Sequence, residues 1–206
     1  MSALLSRFFA VALFAAAVAP LRAMSVVRPT FDELVGVSEI VVRGQVTATR
    51  SAYVDTTQGR AIKTFVTFHV ERTLKGQPPK DDVLTLVFLG GKVGADSMEV
   101  AGMPAFQPGD REIVFVTGNG RTICPLIAAG HGRYRLLHDA ASDRDYVARE
   151  NRIPLESTAE VSIPLQSAAS PAARAKSATT ALTPSDFEDK IAEAVTRLGP
   201  GAPAQK

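Results

Sequence analysis

The side chains that could carry chemistry are few in this sequence, and they are scattered. The single cysteine, Cys124 in RTICPLI, has apolar neighbours and no general base beside it, so we predict a small packed residue and not a nucleophile. His131 and His138 are seven residues apart in a predicted strand, which would place them on opposite faces and about 23 Å apart. Shared metal ligation is therefore not expected. A serine-hydrolase elbow of the form G-x-S-x-G does not occur in the sequence.

The glycine-rich stretch GGKVG, residues 90–94, has some features of a phosphate loop. Its Lys92 is followed by Val93 instead of Ser or Thr, and no helix is predicted after it, so we reject a nucleotide site. The stretch continues into GMPAFQPGD, whose Gly and Pro residues are typical of turns. A long exposed loop on a rigid framework is also where binding residues concentrate. We predict a binding surface on this loop that contains Lys92, Met98, Met103 and Phe106.

The elements that must position this loop are predominantly β-strands. EIVVRGQVTATRS and AIKTFVTFHVERTLKG alternate apolar and polar residues, which is the period of half-buried strands. Gly44 in the first of them is predicted to mark either a bulge or a sharp coil of the strand. DVLTLVFLG and REIVFVTG are apolar on both faces, which predicts central strands. Asn119-Gly120 predicts a hairpin with a primed turn, and GRYRLLH and DYVARE predict another. About seven short strands between 39 and 149 indicate an all-β barrel or sandwich.

Two helices are predicted to flank these strands. Thr30 and Glu33 have the spacing of a capping box before a short helix. Residues 154–182 are rich in Ala, Ser and Pro and are expected to form a flexible linker. An amphipathic helix follows over 183–199, with Thr183 as its N-cap, and 200–206 are expected to be a disordered tail. The apolar stripe of this helix contains Phe187, Ile191, Val195 and Leu198. Its two possible docking sites are the chain's own β domain and the groove of a partner.

The first residues predict export. Arg7 precedes an apolar run of 12 residues, 8–19, which is typical of a secretory signal peptide; cleavage is expected after Ala23. The run is too short to span a bilayer, and no later run approaches the roughly 20 residues needed. Removal of 1–23 takes away Arg7 and Arg22, so 23 basic and 21 acidic side chains become 21 of each. A neutral chain without Trp is not expected to bind nucleic acid.

The order of these motifs resembles a known family. A short helix leads into SEIVVRGQVTATRS, a long strand ends in VERTLKGQ, and a loop precedes PGDREIVFV. This order, over Thr30 to Leu137, is similar to that of netrin-like modules, including the inhibitory domain of tissue inhibitors of metalloproteinases, and of a group of bacterial exported proteins. The resemblance implies an oligonucleotide/oligosaccharide-binding (OB) fold, a five-stranded Greek-key barrel. The inhibitors' amino-terminal cysteine and disulfides have no counterpart here, so no functional residue is transferred.

The sequence as a whole therefore predicts a mainly β protein: a signal peptide (1–23), a small OB-like Greek-key β-barrel domain (24–153) with a short N-terminal helix, a linker and a C-terminal amphipathic helix. The predicted function is that of a periplasmic or extracellular, non-enzymatic binding module that engages or inhibits an exported protein such as a protease. No metal or cofactor is expected. Two alternatives stay open. One is an exported hydrolase or metal-dependent enzyme with a site near the 92–107 loop and His131, and the other is an envelope structural or assembly protein.

Overall fold

A computed structural model of the chain describes residues 28–57, 59–165 and 178–199. The predicted signal peptide, its cleavage site and the predicted disordered tail at 200–206 lie outside these residues. The described part is mainly β, as the sequence predicts. Its helices and strands are α1 (Phe31–Val37), β1 (Ile40–Thr56), β2 (Gly59–Lys75), β3 (Val83–Leu89), β4 (Gly91–Val93), β5 (Asp96–Met98), β6 (Arg111–Val116), β7 (Arg133–Asp139), β8 (Arg144–Arg149) and α2 (Pro184–Leu198). None of the described helices is long and apolar enough to cross a bilayer.

Six strands form one antiparallel sheet in the order β3-β2-β1-β6-β7-β8, and β4 and β5 form a separate hairpin. The hydrogen-bonded ladder of the large sheet does not close, because β3 and β8 lie at its two edges. The prediction of a central strand is thus confirmed for β6 and wrong for β3, whose Val83 is 48% exposed. The far end of β3 is covered by the β6–β7 connection instead of by a strand, and Leu89 N–H donates to Ile123 O there at 2.9 Å.

The long β1–β2 hairpin is bent by bulges. The pairing register between the two strands shifts between Arg43 and Gly44 and again between Val46 and Ala48. At Gly44 the backbones come so close that a Cβ would lie 2.5 Å from His69 O, so a side chain cannot fit. The irregularity predicted at Gly44 is therefore present as a bulge, but its extra residue is Glu71 on the facing strand β2.

Two apolar cores lie on opposite faces of the sheet. The core beneath the helices contains, among others, Leu34, Val35, Val41, Ile113, Phe115, Tyr134, Leu155, Phe187 and Ile191. The other core contains Val42, Val46, Val66, Phe68, Val70, Leu86, Phe88, Phe106, Val114, Val116 and Leu126. Successive side chains of β6 point alternately into the two cores, with Phe115 in the first and Val114 in the second. The sequence of β6 is therefore apolar on both faces.

Both predicted helices are present with their predicted N-caps. Thr30 and Glu33 form a capping box on α1, and Thr183 and Asp186 form one on α2. The ring of Phe187 lies 4.8 Å from that of Tyr134 and 6.3 Å from that of Phe115, centroid to centroid. The stripe predicted for α2, Phe187, Ile191, Val195 and Leu198, therefore packs into the chain's own core. The sequence left two docking sites for this helix, its own β domain and a partner's groove. In the structure the helix packs on its own sheet.

Both described ends of the predicted linker, 154–165 and 178–182, are packed on the β domain. Leu155 and Val161 are almost completely buried, and Leu155 N–H donates to Val147 O at 2.9 Å along the edge of β8. At its other end Ala181 is buried, and Leu182 N–H donates to Leu155 O at 2.8 Å. Composition misled here, because a few apolar residues are enough to cover an exposed strand edge. Residues 166–177 lie outside the described residues.

The hairpin predicted at Asn119-Gly120 does not form two paired strands. Gly120 has a positive φ of 78°, but Asn119 is not among the residues with positive φ, and a type I′ turn requires both. The Asn119 side chain instead bonds to the edge of β3: it accepts from Val87 N–H at 3.0 Å and donates to Thr85 O at 2.8 Å. Residues after it meet β6 through a single bridge, Val116 to Leu126.

Candidate functional site

The loop singled out by the sequence borders a surface groove of about 720 Å³. Its walls are the β4–β5 hairpin and the segment 99–106, and its floor includes Val66 and Phe88 of the second core. All four residues predicted for the binding surface line this groove: Lys92, Met98, Met103 and Phe106. The lining also contains one acidic residue, Glu99. The groove is thus mainly apolar, with one positive and one negative side chain at its rim.

The β4–β5 hairpin is held firmly against the β1–β2 hairpin. Thr64 Oγ1 donates to Gly90 O at 2.7 Å, and Gly90 N–H donates to Ile62 O at 2.8 Å. The Tyr53 hydroxyl donates to the Asp96 carboxylate, and this hydrogen bond raises the pKa of Tyr53. A Cβ on Gly91 would lie 2.4 Å from Thr64 Oγ1, so the close approach requires glycine. One wall of the groove is therefore fixed to a rigid strand pair.

Phe106 forms part of the groove floor and is not an exposed anchor. It is 8% exposed, and its ring makes an edge-to-face contact with Phe68, the centroids lying 5.7 Å apart. The guanidinium carbon of Arg133 lies 3.9 Å from the Phe106 ring centroid on a cation–π contact. The sequence therefore located Phe106 at the right site but predicted the wrong exposure for it, because the aromatic ring completes the core beneath the loop.

A buried ion cluster fixes the end of the same loop. Arg133 is fully buried; its Nε donates to Glu112 Oε2 at 2.7 Å and its Nη1 to Ala105 O at 2.7 Å. Arg133 Nη2 also donates to Asp110 Oδ2 at 3.3 Å, and Glu150 Oε2 lies 2.9 Å from Arg133 Nη1. Burial raises the pKa of Glu112, and the adjacent guanidinium of Arg133 opposes that rise. Both oxygens of the Glu112 carboxylate accept hydrogen bonds from Arg133. Because Arg133 also bonds Ala105 and Asp110, the cluster fixes the position of residues 105–110.

His131, the residue on which the enzyme alternative depends, is not part of the groove. It is buried beneath the 3-10 turn Thr158–Ser162, and its Nδ1–H donates to Val161 O at 3.0 Å. Burial lowers the pKa of His131, so the neutral ring is favoured. His138 is exposed on the β7–β8 hairpin, with its Nδ1 at 3.0 Å from Asp145 Oδ1. The prediction that both histidines lie in one strand is wrong, because His131 belongs to the 3-10 turn Ala129–Gly132 that precedes β7 and only His138 is in the strand. The two side chains are held by different partners.

Within the described ranges, no three His, Cys, Asp or Glu side chains lie close enough together to hold a metal ion. Cys124 is half-buried against the second core, and burial raises the pKa of its thiol. The packed environment predicted for this cysteine is therefore confirmed. A thiol in such surroundings is a weak nucleophile at neutral pH.

A second set of charges, which the sequence reasoning missed, joins α2 to β1 and β2. Glu188 is 3% exposed, and its carboxylate accepts from Arg43 Nη1 at 2.6 Å and from Arg72 Nη1 at 2.5 Å. Arg43 Nε also lies 3.0 Å from Glu71 Oε2. The amphipathic pattern of α2 gave no sign that Glu188 is buried, because its partners are 145 and 116 residues away.

Fold and groove together define a mainly antiparallel β protein with one face covered by helices and an apolar surface groove at the opposite core. No known family model matches the sequence, and no curated protein is detectably similar to it. The function is therefore argued from the geometry of the groove.

Proposed function

We propose that this protein is an exported, non-enzymatic binding module that engages another exported protein, such as a protease, through the groove beside the 90–106 loop. The observation that carries the proposal is the groove itself: Met98 and Met103 line an apolar cleft whose wall is fixed by Tyr53 and Gly91. Methionine side chains adapt to the shape of an apolar partner, while the fixed wall keeps the site preformed.

The netrin-like relationship is part of this proposal. In support of an OB-like barrel, the core around Phe68 and Phe88 is bordered by β1, β2, β3 and β6. The free edge of β3 is bonded by the segment that follows β6, through Asn119 and through the Leu89–Ile123 hydrogen bond. The order of short helix, bulged strand, long strand and loop is the order of that family's motifs.

Export rests on the pattern of residues 1–23. A protein in the periplasm or outside the cell meets other exported proteins, so the partner of the groove is expected among them. A single cysteine leaves stability to packing and ion pairs.

A capture experiment with matched variants tests the binding role. The purified chain is immobilised and exposed to the exported-protein fraction of its native host, and the recovered partner is identified and then titrated against it. Met98→Gln with Met103→Gln places polar groups in the groove, and we expect affinity to fall about tenfold or more. The control, Val83→Gln with Ile163→Gln, changes two exposed apolar residues that do not line the groove.

The control variant should retain the partner with unchanged affinity. A partner that binds both variants as tightly as it binds the original chain would show that the groove is not the binding site. Recovery of no specific partner would count against the proposed role itself.

A further inference from the structure

The edge of β1 that faces away from β2 changes its partner along its length. The first part of this edge pairs with β6. At Val46 it is bonded by the loop before β6, where Val46 N–H donates to Asp110 O and Gly109 N–H donates to Val46 O, each at 2.8 Å. Farther along, β1 pairs with β2 on one side and with no strand of the described residues on the other. The segment 49–55 is therefore an edge of the sheet.

The pairing register fixes which backbone groups of this segment point outward. Gly90, which follows β3 on the far side of β2, donates its N–H to Ile62 O at 2.8 Å, so the backbone groups of Ile62 point away from β1. Tyr53 is the partner of Ile62 on β1 and therefore directs its own N–H and C=O away from β2. The register has no shift over this segment, so alternation gives the same direction to the backbone groups of Thr49, Ser51 and Asp55. The backbone groups of these four residues have no hydrogen-bond partner in the described part of the chain.

The two outermost strands of the large sheet are protected in a way that β1 is not. On β3, Val87 N–H and Leu89 N–H donate to the segment that follows β6. On β8, Val147 N–H donates to Leu182 O at 2.9 Å. A strand edge without such cover is a place where another chain can pair. The edge at 49–55 is open in this sense.

This open edge borders the groove. Thr49 is exposed, lines the groove and lies opposite Val66, while Thr64 lies opposite Phe88. The register therefore places these four side chains on one face of the sheet, and all four line the groove. A strand added to the edge would lie about 4.8 Å from β1, and every second side chain of it would point to this same face.

We propose that an extended segment of the partner protein pairs with the edge 49–55 of β1 as an additional strand and directs alternate apolar side chains into the groove. The inference rests on the proposed function and specifies how the partner is held. Hydrogen bonds between the two main chains supply affinity for many sequences. The apolar groove, with Met98 and Met103 in its lining, selects the side chains that enter it.

A second copy of this chain fits the same edge less well. Antiparallel pairing of two β1 edges places residues of equal direction on a common face. The side chains that the second copy would direct to the apolar groove are then all polar: Thr49, Ser51, Tyr53 and Asp55. A partner segment with apolar residues at alternate positions matches the groove better.

An array of random ten-residue peptides, probed with the labelled chain, supplies a ligand for the test. We expect enrichment of peptides that carry apolar residues at alternate positions. The tightest peptide is then synthesised again with an N-methyl group on each backbone nitrogen in turn. Because only every second N–H of an added strand faces β1, methylation should weaken binding about tenfold at alternate positions and less than about twofold at the positions between them.

Amide hydrogen exchange, followed by NMR, reports the pairing from the side of the protein. In the chain alone, the outward amides of Thr49, Ser51 and Tyr53 should exchange faster than those of Arg50 and Ala52, which point towards β2. Addition of the peptide should slow exchange of the three outward amides about tenfold or more.

A proline at the edge, with a matched control, tests the same contact. Thr49→Pro removes one outward N–H at a position where an edge strand tolerates proline. We expect the affinity for the peptide to fall about tenfold, whereas Thr49→Val keeps the N–H and the shape and should bind within about twofold. If Thr49→Pro does not fold, the methylation series and the exchange measurement decide, because both use the unchanged chain.

The outcomes separate this inference from the proposed function. A peptide that loses affinity in Met98→Gln/Met103→Gln, but shows neither alternation on methylation nor protection of the outward amides, would leave groove binding standing and overturn strand addition. Protection of these amides without peptide, increasing with the concentration of the chain, would overturn it in favour of a second copy. An array without any enriched peptide would contradict both the strand addition and the proposed function.

Discussion

Glu188→Gln is the sharpest test of what holds α2 on the sheet. The substitution keeps the size and shape of the side chain but removes the charge that faces Arg43 and Arg72. The Glu188 side chain is 2% exposed, whereas those of its partners are 26% and 59% exposed. The carboxylate is therefore shielded from water while both cations still reach it.

The expected cost lies between two limits. Breaking a fully buried ion pair costs about 3–5 kcal/mol, whereas an exposed pair contributes about 0.2–1 kcal/mol. Because Arg72 can return to water after the change and the amide oxygen of Gln can still accept from Arg43, we expect a loss of about 2 kcal/mol. For a domain of this size, that corresponds to a fall in Tm of about 4–8 °C.

Urea denaturation followed by circular dichroism gives the free energy of unfolding, with Glu193→Gln as the matched control. Glu193 lies on the same helix, its side chain is 66% exposed, and its pair with Lys190 is 3.4 Å long. The control should change stability by less than about 0.5 kcal/mol. A double-mutant cycle with Arg72→Gln should give a coupling energy of about 1 kcal/mol.

If Glu188→Gln is as stable as Glu193→Gln and the cycle shows no coupling, the ion pairs contribute nothing and the apolar stripe alone docks the helix. Hydrogen exchange of the α2 amides distinguishes the two cases locally, because loss of docking accelerates exchange in this helix before the sheet is affected.

Two further changes probe the packing beneath the helices. Phe187→Ala removes a fully buried ring from contact with Phe31, Phe115 and Tyr134. The free energy of unfolding of this variant should fall by about 3–5 kcal/mol in the same urea assay. A loss below about 1 kcal/mol would contradict the described packing. For His131, burial lowers the folded pKa below 6.5, so protonation favours the unfolded state and stability is lost as pH falls through that value. His131→Gln should lose less stability between pH 7.5 and 5.5 than the original chain does, and an equal loss would refute the assignment.

The sequence predicted the structure correctly where the interactions that form it lie within a few residues. The N-caps Thr30 and Thr183, the irregularity at Gly44 and the β7–β8 hairpin all depend on residues close in sequence. Propensity and periodicity therefore predicted them.

The same method failed where a bulge changed the register. Alternation along β1 predicted Ala48 inside and Thr49 outside. The shift between Val46 and Ala48 reverses this order, so that Ala48 is exposed and Thr49 lines the groove. A displacement of one residue moves every following side chain to the other face, and nothing in the alternation marks where it occurs.

Partners distant in the chain also escaped the sequence reasoning. Arg133 binds Glu112 across 21 residues, and Arg43 binds Glu188 across 145. Each of these side chains occurs in a strand or helix pattern that is compatible with an exposed charge. Only the packing of another element over them creates the low dielectric that makes a specific partner necessary.

The sequence by itself determined the β-rich character of the chain, the two capped helices and the loop whose Lys92, Met98 and Met103 border the groove. Tertiary structure decided that α2 covers its own sheet and that Phe106 belongs to the core. The reason is physical: helix caps and strand periods arise within a few residues, whereas burial and the meeting of charges depend on which surfaces the folded chain brings together.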